Sequence, residues 1–276
     1  KRGLVFDNAY VATSSCSPSR CSIITGRYPH NTGAPELHMP LPPEQVTFVQ
    51  NLQDAGYHTV VSGKNHMAPE AARLGFDIES NSRPSGSENW VKHLRDRPRD
   101  RPFFLWFASH DAHHDWQFAE HAPRYDPDTI EVPPYLVDGP LTRQELADYY
   151  HEVSRTDHYA GELWKELEAQ GIADNTWFVY TSDNGRPLPR CKTYLYESGI
   201  RAPLLVLGPG VKKAGRSDSL VSLIDLAPTF LELAGLEIPE TVQGVSFTSL
   251  FSRPTSIVRD VAFAERNWHV YQAHER

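Results

Sequence analysis

Short apolar runs alternate along the chain with segments that have the features of helices. Apolar runs of strand length occupy 57–61, 103–108, 176–181 and 204–207. Helical spacing, or a proline near the start and a glycine at or after the end, marks 17–26, 44–55, 141–170 and 223–234. Because 103–108 is apolar at every position, it predicts a strand buried on both faces. The polar ranges 79–101 and 111–140 are predicted as surface loops.

This alternation predicts an α/β protein, a three-layer α/β/α sandwich with a mostly parallel central sheet. In such sheets a functional site forms at the carboxyl ends of the strands. Clusters of polar residues directly follow three of the predicted strands, at 62–66, 109–114 and 182–185. We therefore expect these three clusters to lie close together at one edge of the sheet.

Composition narrows the class of protein. The chain has 276 residues, 39% of them hydrophobic, which is enough for one large domain or for one domain with part of a second. The 27 Lys and Arg against 35 Asp and Glu give a net charge of −8, so general binding to nucleic acid or to an anionic membrane is disfavoured. No apolar run approaches the roughly 20 residues that span a bilayer. The three cysteines, Cys16, Cys21 and Cys191, cannot form a disulfide framework.

The strongest motif surrounds the first cysteine. Residues 15–27 read Ser-Cys-Ser-Pro-Ser-Arg-Cys-Ser-Ile-Ile-Thr-Gly-Arg. This stretch resembles the signature of the sulfatase family, Cys-x-Pro-Ser-Arg followed by Leu/Ile-Thr-Gly. The resemblance implies that a formylglycine-generating maturation enzyme oxidises Cys16 to Cα-formylglycine, whose hydrate supplies the nucleophilic oxygen. A buried structural cysteine and an ordinary thiolate nucleophile at a helix start are the alternatives.

Four other segments carry the same resemblance. Residues 3–10 look like the lead-in strand of sulfatases, and Gly-Lys-Asn-His at 63–66 resembles the Lys-x-His site of the family. Ser-His-Asp-Ala-His at 109–113 resembles the His-Asp-Pro-His of the sulfamidase (heparan N-sulfatase) branch, with Ala112 in place of proline. Thr-Ser-Asp-Asn-Gly at 181–185 matches the metal segment of the family. The resemblance implies the alkaline-phosphatase-like fold.

The chemistry of sulfate-ester cleavage assigns a task to each matched residue. The sulfuryl oxygens must be neutralised, a nucleophile must attack in line, and the leaving group must be protonated. A hard divalent cation, Ca²⁺, suits the first task, with Asp183, Asn184 and an oxygen of modified Cys16 as expected ligands. Arg20, one helical turn after Cys16, is expected to hold the hydrate and to offset the carboxylates.

Four more residues complete the expected site. Lys64 and Lys192, the latter at the position of the family's basic sulfate-binding residue, are expected to bind sulfate oxygens. The resemblance implies that His66 takes a proton from the hydrate and that His113 protonates the leaving group. The expected reaction is hydrolysis of a sulfated sugar, as an O-sulfate ester or an N-sulfamate.

The sequence departs from the family pattern before Cys16. Sulfatases carry a metal-binding Asp-Asp pair at the end of their first strand, and no such pair precedes Cys16 here. We expect residues 1–250 to form a sulfatase catalytic domain without its N-terminal metal-binding strand, and residues 251–276 to begin a truncated C-terminal subdomain. The resemblance implies a periplasmic or secreted bacterial protein. A set of aromatic and histidine residues either lines the substrate mouth or belongs to that subdomain: Trp268, His269, Tyr271 and His274.

Three other interpretations stay open. The chain is compatible with a phosphonate or phosphate ester hydrolase of the same superfamily, whose members can share the cysteine motif. It is also compatible with a catalytically silent fragment that binds sulfated glycans. Imidazole and carboxylate groups at 110–115 suit a zinc ion; they are His110, Asp111, His113, His114 and Asp115.

Overall fold

The computed structural model describes residues 3–211 and 214–269, and it confirms a mixed α/β protein. The strands of the described residues are β1 Leu4–Tyr10, β2 His58–Gly63, β3 Ile78–Ser80, β4 Phe103–Ala108, β5 Phe178–Thr181, β6 Leu204–Leu207 and β7 Gly215–Ser222. The helices are α1 Cys16–Thr25, α2 Pro29–Thr32, α3 Phe48–Asp54, α4 Trp90–Asp96, α5 Pro140–Ala169, α6 Glu197–Ile200, α7 Leu226–Leu233 and α8 Ser249–Ser252.

The strands form two sheets, in the orders β5-β6-β1-β7 and β3-β2-β4. The three-stranded sheet is parallel throughout, with Val60 of β2 opposite Leu105 of β4. In the other sheet β1 and β7 are parallel, whereas β6 runs antiparallel to both β5 and β1. The prediction of a mostly parallel arrangement is confirmed, with β6 as the antiparallel strand among the described residues. The segment that joins β5 to β6 contains one four-residue helix, α6, and lacks the long covering helix that is usual in a parallel crossover.

Helices cover both faces of the sheets. Successive side chains of β4 point to opposite faces, and Phe103, Leu105 and Phe107 pack against α4 and α5. Phe104 and Trp106 point the other way and pack against the cluster that includes α3 and α7. This arrangement gives the three layers that the sequence predicts.

One predicted loop contains a helix. Within 79–101, Trp90 and Leu94 are one helical turn apart and are both buried against α5, and they hold α4 in place. The surrounding arginines and aspartates hide this short apolar spacing in the sequence. The helix predicted over 44–55 is shorter than expected and begins at Phe48, because Thr47 and Gln50 form a capping box there.

A cavity of about 1390 Å³ separates the two sheets. It is lined by β4 and β5, which are the edge strands of their sheets, together with residues of α5 and α7. Residues 103–107 and the whole of β5 are only half-buried, so the prediction that β4 is buried on both faces is wrong. The cavity continues to the carboxyl ends of the strands. No helix among the described residues is long and apolar enough to cross a membrane.

Candidate active site

The N-terminal end of α1 lies at the wall of the cavity. Cys16 is the first residue of this helix and is 3% exposed, and Ser15 before it has an extended backbone. All ten residues of α1 are buried, and the helix ends at Gly26, whose φ of 67° is in the left-handed region that favours glycine. The helix predicted over 17–26 is confirmed, and its surroundings fix Cys16 in the interior.

Arg20 connects three parts of the site. Its Nε donates to Oδ2 of Asp183 at 2.7 Å, and its Nη1 donates to the backbone carbonyl of Lys64 at 2.8 Å. Burial raises the pKa of the Asp183 carboxyl, but the positive charges of Arg20, Lys64 and Lys192 outweigh this effect and hold the pKa at about 2. Asp183 is therefore ionised at neutral pH.

Lys64 is placed by the sharp end of β2. Gly63 has a φ of 94°, and a Cβ at this position would lie 1.9 Å from the carbonyl oxygen of Ala108, so only glycine fits. The backbone N–H of Lys64 donates to the same oxygen at 2.8 Å. Burial lowers the pKa of the Lys64 ammonium, although the nearby Cys16 and Asp183 oppose the change. The chain thus holds a cation beside Cys16.

Asn184 presents a buried oxygen that the described residues leave without a hydrogen-bond partner. Its side-chain Nδ2 donates to the backbone carbonyl of Gly185 at 2.7 Å, and its backbone carbonyl accepts from Ser182 Oγ at 2.8 Å. Its side-chain Oδ1, however, has no hydrogen-bond partner in the described part of the chain. An orphaned buried amide oxygen is costly unless another group binds it. A hard cation such as Ca²⁺ takes oxygen ligands of this type.

The residues present fit part of a hard-cation site. Asp183 and Asn184 supply two oxygen donors at the end of β5, but among residues 3–211 and 214–269 no group of three or more His, Cys, Asp or Glu could hold a metal ion. Three cations, Arg20, Lys64 and Lys192, act on Asp183. A divalent ion placed there needs more negative charge than Asp183 alone provides.

Two histidines influence the thiol of Cys16. Burial and the Asp183 carboxylate raise the pKa of this thiol, but interactions with His113 and His66 and the charge of Lys64 outweigh them and hold it well below its usual range. The surroundings of Cys16 therefore favour its negatively charged form.

His113 faces the second lysine of the site. Its Nδ1 donates to the carbonyl of His114 at 2.5 Å, and its Nε2 accepts from Nζ of Lys192 at 3.0 Å. In His66 the nitrogen that is available is Nδ1. It is buried and has no hydrogen-bond partner among the described residues. A ring nitrogen in that state is available for proton transfer.

His38, which contacts His66, is not predicted from the sequence as a site residue. Nε2 of His66 lies 2.8 Å from Nδ1 of His38, and both residues have positive φ, 58° and 67°. The backbone N–H of His38 donates to Ser17 Oγ at 2.7 Å, which ties this loop to α1. His38 lies in a loop without periodic pattern or motif, so one sequence offers no signal for it.

The sequence also does not predict a buried ionic cluster that involves Glu152 and Arg155 of α5. Arg155 donates through Nε and Nη2 to the two carboxylate oxygens of Asp111, at 2.9 and 2.5 Å. Glu152 accepts from the backbone N–H groups of His113 and Gln117, at 3.1 and 2.6 Å. Burial raises the pKa of Glu152 to about 7. The available signal was the position of these charged residues on the buried stripe of an otherwise amphipathic helix.

The zinc interpretation is wrong for the described residues. Asp111 is committed to Arg155, while Nε2 of His110 lies 2.7 Å from Oδ1 of Asn81. His114 pairs instead with Glu145 on α5, at 3.1 Å. The side chains at 110–115 thus have separate partners and do not converge on one point.

The segment before residue 270 reaches the N-terminal end of α1. Nδ1 of His269 lies 2.8 Å from Ser15 Oγ, and the carbonyl of the half-exposed Trp268 accepts from the N–H of Leu37 at 3.1 Å. His269 therefore lies beside position 16, as expected for a residue at the mouth of the site. Tyr271 and His274 lie outside the described residues.

The polar clusters expected at three strand ends do meet. The cavity is lined by most of the predicted site residues, and His66 joins them through its interaction with Cys16. The lining residues among them are Cys16, Arg20, Lys64, His113, Asp183, Asn184 and Lys192. The structure brings all the predicted residues together, whereas their individual roles stay predictions.

Comparison with known proteins gives consistent relatives. Residues 1–78 and 85–236 match the family described as Sulfatase. The chain is 32% identical to N-sulphoglucosamine sulphohydrolase of Homo sapiens over 87% of this chain and 55% of that protein. It is 29% identical to N-acetylglucosamine-6-sulfatase of Bos taurus over 92% of this chain and 59% of that protein. The chain thus spans a little more than half the length of these curated relatives.

Solved structures agree on the fold. One solved structure shows another protein bound to that protein's substrate, D-glucosamine-2-N,6-O-disulfate. It superposes on this chain with a TM-score of 0.79 at 22% identity, covering 99% of this chain and 78% of the other. The phosphonate monoester hydrolase of Agrobacterium radiobacter has a TM-score of 0.81 at 16% identity, covering 99% and 75%. Both likenesses concern the fold alone. The family match over most of the sequence, joined to the human relative at 32% identity, shows that the chain belongs to the sulfatase family.

Proposed function

We propose that the protein hydrolyses the sulfate ester or sulfamate of a sulfated sugar in the cavity at Cys16. The observation that carries the proposal is the convergence of two lysines and two histidines around the buried Cys16, at one end of the cavity. In a chain with a net charge of −8, this local cluster of cations favours an anionic group. The relatives named for glucosamine sulfates support a sugar as the carrier of that group.

The chain's own residues divide the work by position. Lys64 and Lys192 bind the sulfate oxygens. Both cations lower the pKa of Asp183, and Lys64 also lowers the pKa of Cys16, so positive charge lies close to both side chains. His113 protonates the leaving group from Nε2: Lys192, which donates to this nitrogen in the structure, turns to the sulfate oxygens when substrate binds, and Nε2 takes up from solvent the proton that it delivers. His66 accepts a proton at its unpartnered Nδ1. Arg20 stays paired with Asp183 and keeps the end of β5 beside α1.

Two groups that the residues imply complete this proposal. Cα-formylglycine, made from Cys16 by a maturation enzyme, would supply the attacking oxygen. A calcium ion held by Asp183, Asn184 and an oxygen at position 16 would neutralise negative charge on the sulfate. The unpartnered Oδ1 of Asn184 supports this ion site.

The cavity also supports the expectation of a further metal-binding strand. Within the described residues, β4 and β5 have no partner strand on the sides that line the cavity, and their side chains there are half-buried. We propose that one strand from outside this sequence fills the part of the cavity between β4 and β5, leaves the end at Cys16 open to substrate, and brings carboxylates to Asp183 and Asn184. Residues 1–250 would then be the larger part of the catalytic domain, and 251–276 the start of a second subdomain.

Hydrogen exchange in the natively expressed protein tests the added strand. N–H groups of a central strand bond alternately to the neighbours on its two sides, so a filled cavity protects every amide of β4 and β5. We expect uniformly slow exchange along both strands. Fast exchange at alternate amides, as in the exposed edge of a sheet, would contradict the added strand and leave the proposed reaction open.

Side-by-side kinetics test the reaction itself. We expect the natively expressed protein to turn over an aryl sulfate with kcat/KM at least about 100-fold above that for the matching aryl phosphonate, which is about 3 kcal/mol of selectivity. A preference for the phosphonate would favour the hydrolase of phosphorus esters instead. Binding of a sulfated glycan without turnover, with the modification and calcium in place, would support a silent binding protein.

The location and partners of the protein follow from the same proposal. Bacterial relatives include an ulvan-active sulfatase of Formosa agariphila, 28% identical over 90% of this chain and 49% of that protein. We propose a periplasmic or secreted bacterial enzyme whose partners are a sulfated saccharide and the maturation enzyme. Fractionation of the native host with detection of this chain tests the location, and recovery in the cytoplasm would contradict it.

A further inference from the structure

The loop of residues 113–118 buries little apolar surface. All of its residues except the half-buried Trp116 are exposed, and its apolar contacts with α5 are those of Trp116 with Tyr149 and of Phe118 with His151. Because these two contacts offset only part of the entropy lost in fixing the loop, polar contacts must supply the rest. The contacts that fix its backbone come from the buried face of α5.

Glu152 is the centre of these contacts. It is 1% exposed, and its two oxygens accept from backbone N–H groups at both ends of the loop, His113 at 3.1 Å and Gln117 at 2.6 Å. One carboxylate thereby fixes the span of residues between them. Only a carboxylate can accept both bonds at this position, because the amide of a glutamine in place of Glu152 has a single acceptor oxygen.

Arg155, one turn further along α5, also binds this loop and the residue Asp111 before it. It is 1% exposed, binds both oxygens of Asp111, and donates through Nη1 to the carbonyl of Gln117 at 2.5 Å. Glu152 lies 3.7 Å from this guanidinium, so its charge has a cation nearby. The helix therefore clamps the chain at residues 111, 113 and 117.

The position of the His113 ring depends on this clamp. The ring reaches Lys192 with Nε2 at 3.0 Å, while its Nδ1 bonds to the carbonyl of the next residue, inside the same loop. Local contacts therefore orient the ring within the loop, and the backbone bond to Glu152 places that loop against the cavity. A displacement of His113 of about 1 Å would separate a proton donor from its target, which is costly for catalysis.

We propose that Glu152 is a positioning residue for His113 and determines how effectively the leaving group is protonated. This inference rests on the proposed function of His113. Removing one backbone acceptor loosens the loop while leaving His113, Lys192 and Cys16 chemically intact. The defect should therefore depend on how strongly the substrate needs a proton on its leaving group.

The test compares two substrates in the variant Glu152→Gln. For a sulfated sugar, whose alcohol leaving group requires protonation, we expect kcat to fall by about 10- to 100-fold with KM changed by less than about threefold. For 4-nitrophenyl sulfate, whose phenolate leaves readily, we expect kcat to fall by less than about threefold. His113→Ala should show the same dependence on the leaving group with a larger loss.

The matched control is Glu145→Gln. Glu145 lies on the same helix and contacts the same loop through His114 and Trp116, but its side chain is partly exposed and does not bond to the backbone of His113. We expect equal and small changes for both substrates in this variant. Equal losses for both substrates in Glu152→Gln, or no loss for either, would overturn the positioning role.

Hydrogen exchange in the unaltered protein covers the case in which Glu152→Gln does not fold. The amides of His113 and Gln117 should exchange slowly although their loop is exposed, because both donate to a buried carboxylate. Rapid exchange at both amides would overturn the inference. Absence of sulfate turnover in the unaltered protein is a separate result, since it contradicts the proposed function and not the clamp.

Discussion

Replacing Cys16 by alanine is expected to abolish turnover and leave the fold intact. The side chain is 3% exposed at the start of a fully buried helix, and its removal deletes a small group with a stability cost of about 1 kcal/mol or less. Loss of the attacking group is expected to lower kcat by at least about 10⁴-fold, since deletion of a nucleophile removes the reaction path itself. Kinetics with an aryl sulfate and thermal unfolding measure the two effects.

Cys21 provides the matched control for this change. It lies in the same helix and is fully buried, and burial raises the pKa of its thiol to about 12, so it carries no thiolate at neutral pH. We expect Cys21→Ala to retain kcat within about threefold and to lose about 1 kcal/mol of stability from the cavity it creates. Full activity of Cys16→Ala would remove the proposed mechanism.

Asp183→Asn is expected to have the second largest effect. The substitution removes the carboxylate that pairs with Arg20 and that is expected to bind the metal. We expect kcat to fall by about 10²- to 10³-fold and calcium affinity to fall by more than about tenfold. In chelator the variant should lose about 2–3 kcal/mol of unfolding free energy, because the buried Arg20 charge loses its partner. Unchanged calcium affinity would contradict the ligand assignment.

The pH dependence of this stability loss has a definite sign. The pKa of Asp183 is held at about 2, below its ordinary value of 3.8, so the ionised form stabilises the folded state. This contribution, about 2 kcal/mol, is present above about pH 4 and is lost as the pH falls toward about 2. Denaturant unfolding in chelator should therefore show the gap between the native protein and Asp183→Asn narrowing from about pH 6 to about pH 3. A gap that widens would contradict the low pKa.

Local features of the chain were readable from the sequence because local chemistry sets them. The bounds of β4 follow from an uninterrupted apolar run, and α1 follows from its proline and its closing Gly26. The meeting of Lys64 and Asp183 was predictable too, because polar residues that follow parallel or co-directional strands share one edge. These inferences need the periodicity of one segment and the general geometry of sheets.

Features that depend on distant partners were not readable. The antiparallel direction of β6 is decided by its pairing with β1, about 200 residues earlier in the chain. The contact of His38 with His66 and the clamp of Glu152 on the backbone of His113 arise only when loops pack against helices. The half-exposed faces of β4 and β5 reflect the cavity between the sheets, which no local pattern reveals.

Peptide mass spectrometry across residue 16 of the natively expressed protein measures most directly whether this pocket works through an oxidised side chain. The peptide is expected to have the mass of the aldehyde or of its hydrate, and to react with a carbonyl-specific hydrazine reagent. An unmodified thiol at Cys16 in protein that actively cleaves sulfate would contradict the central claim.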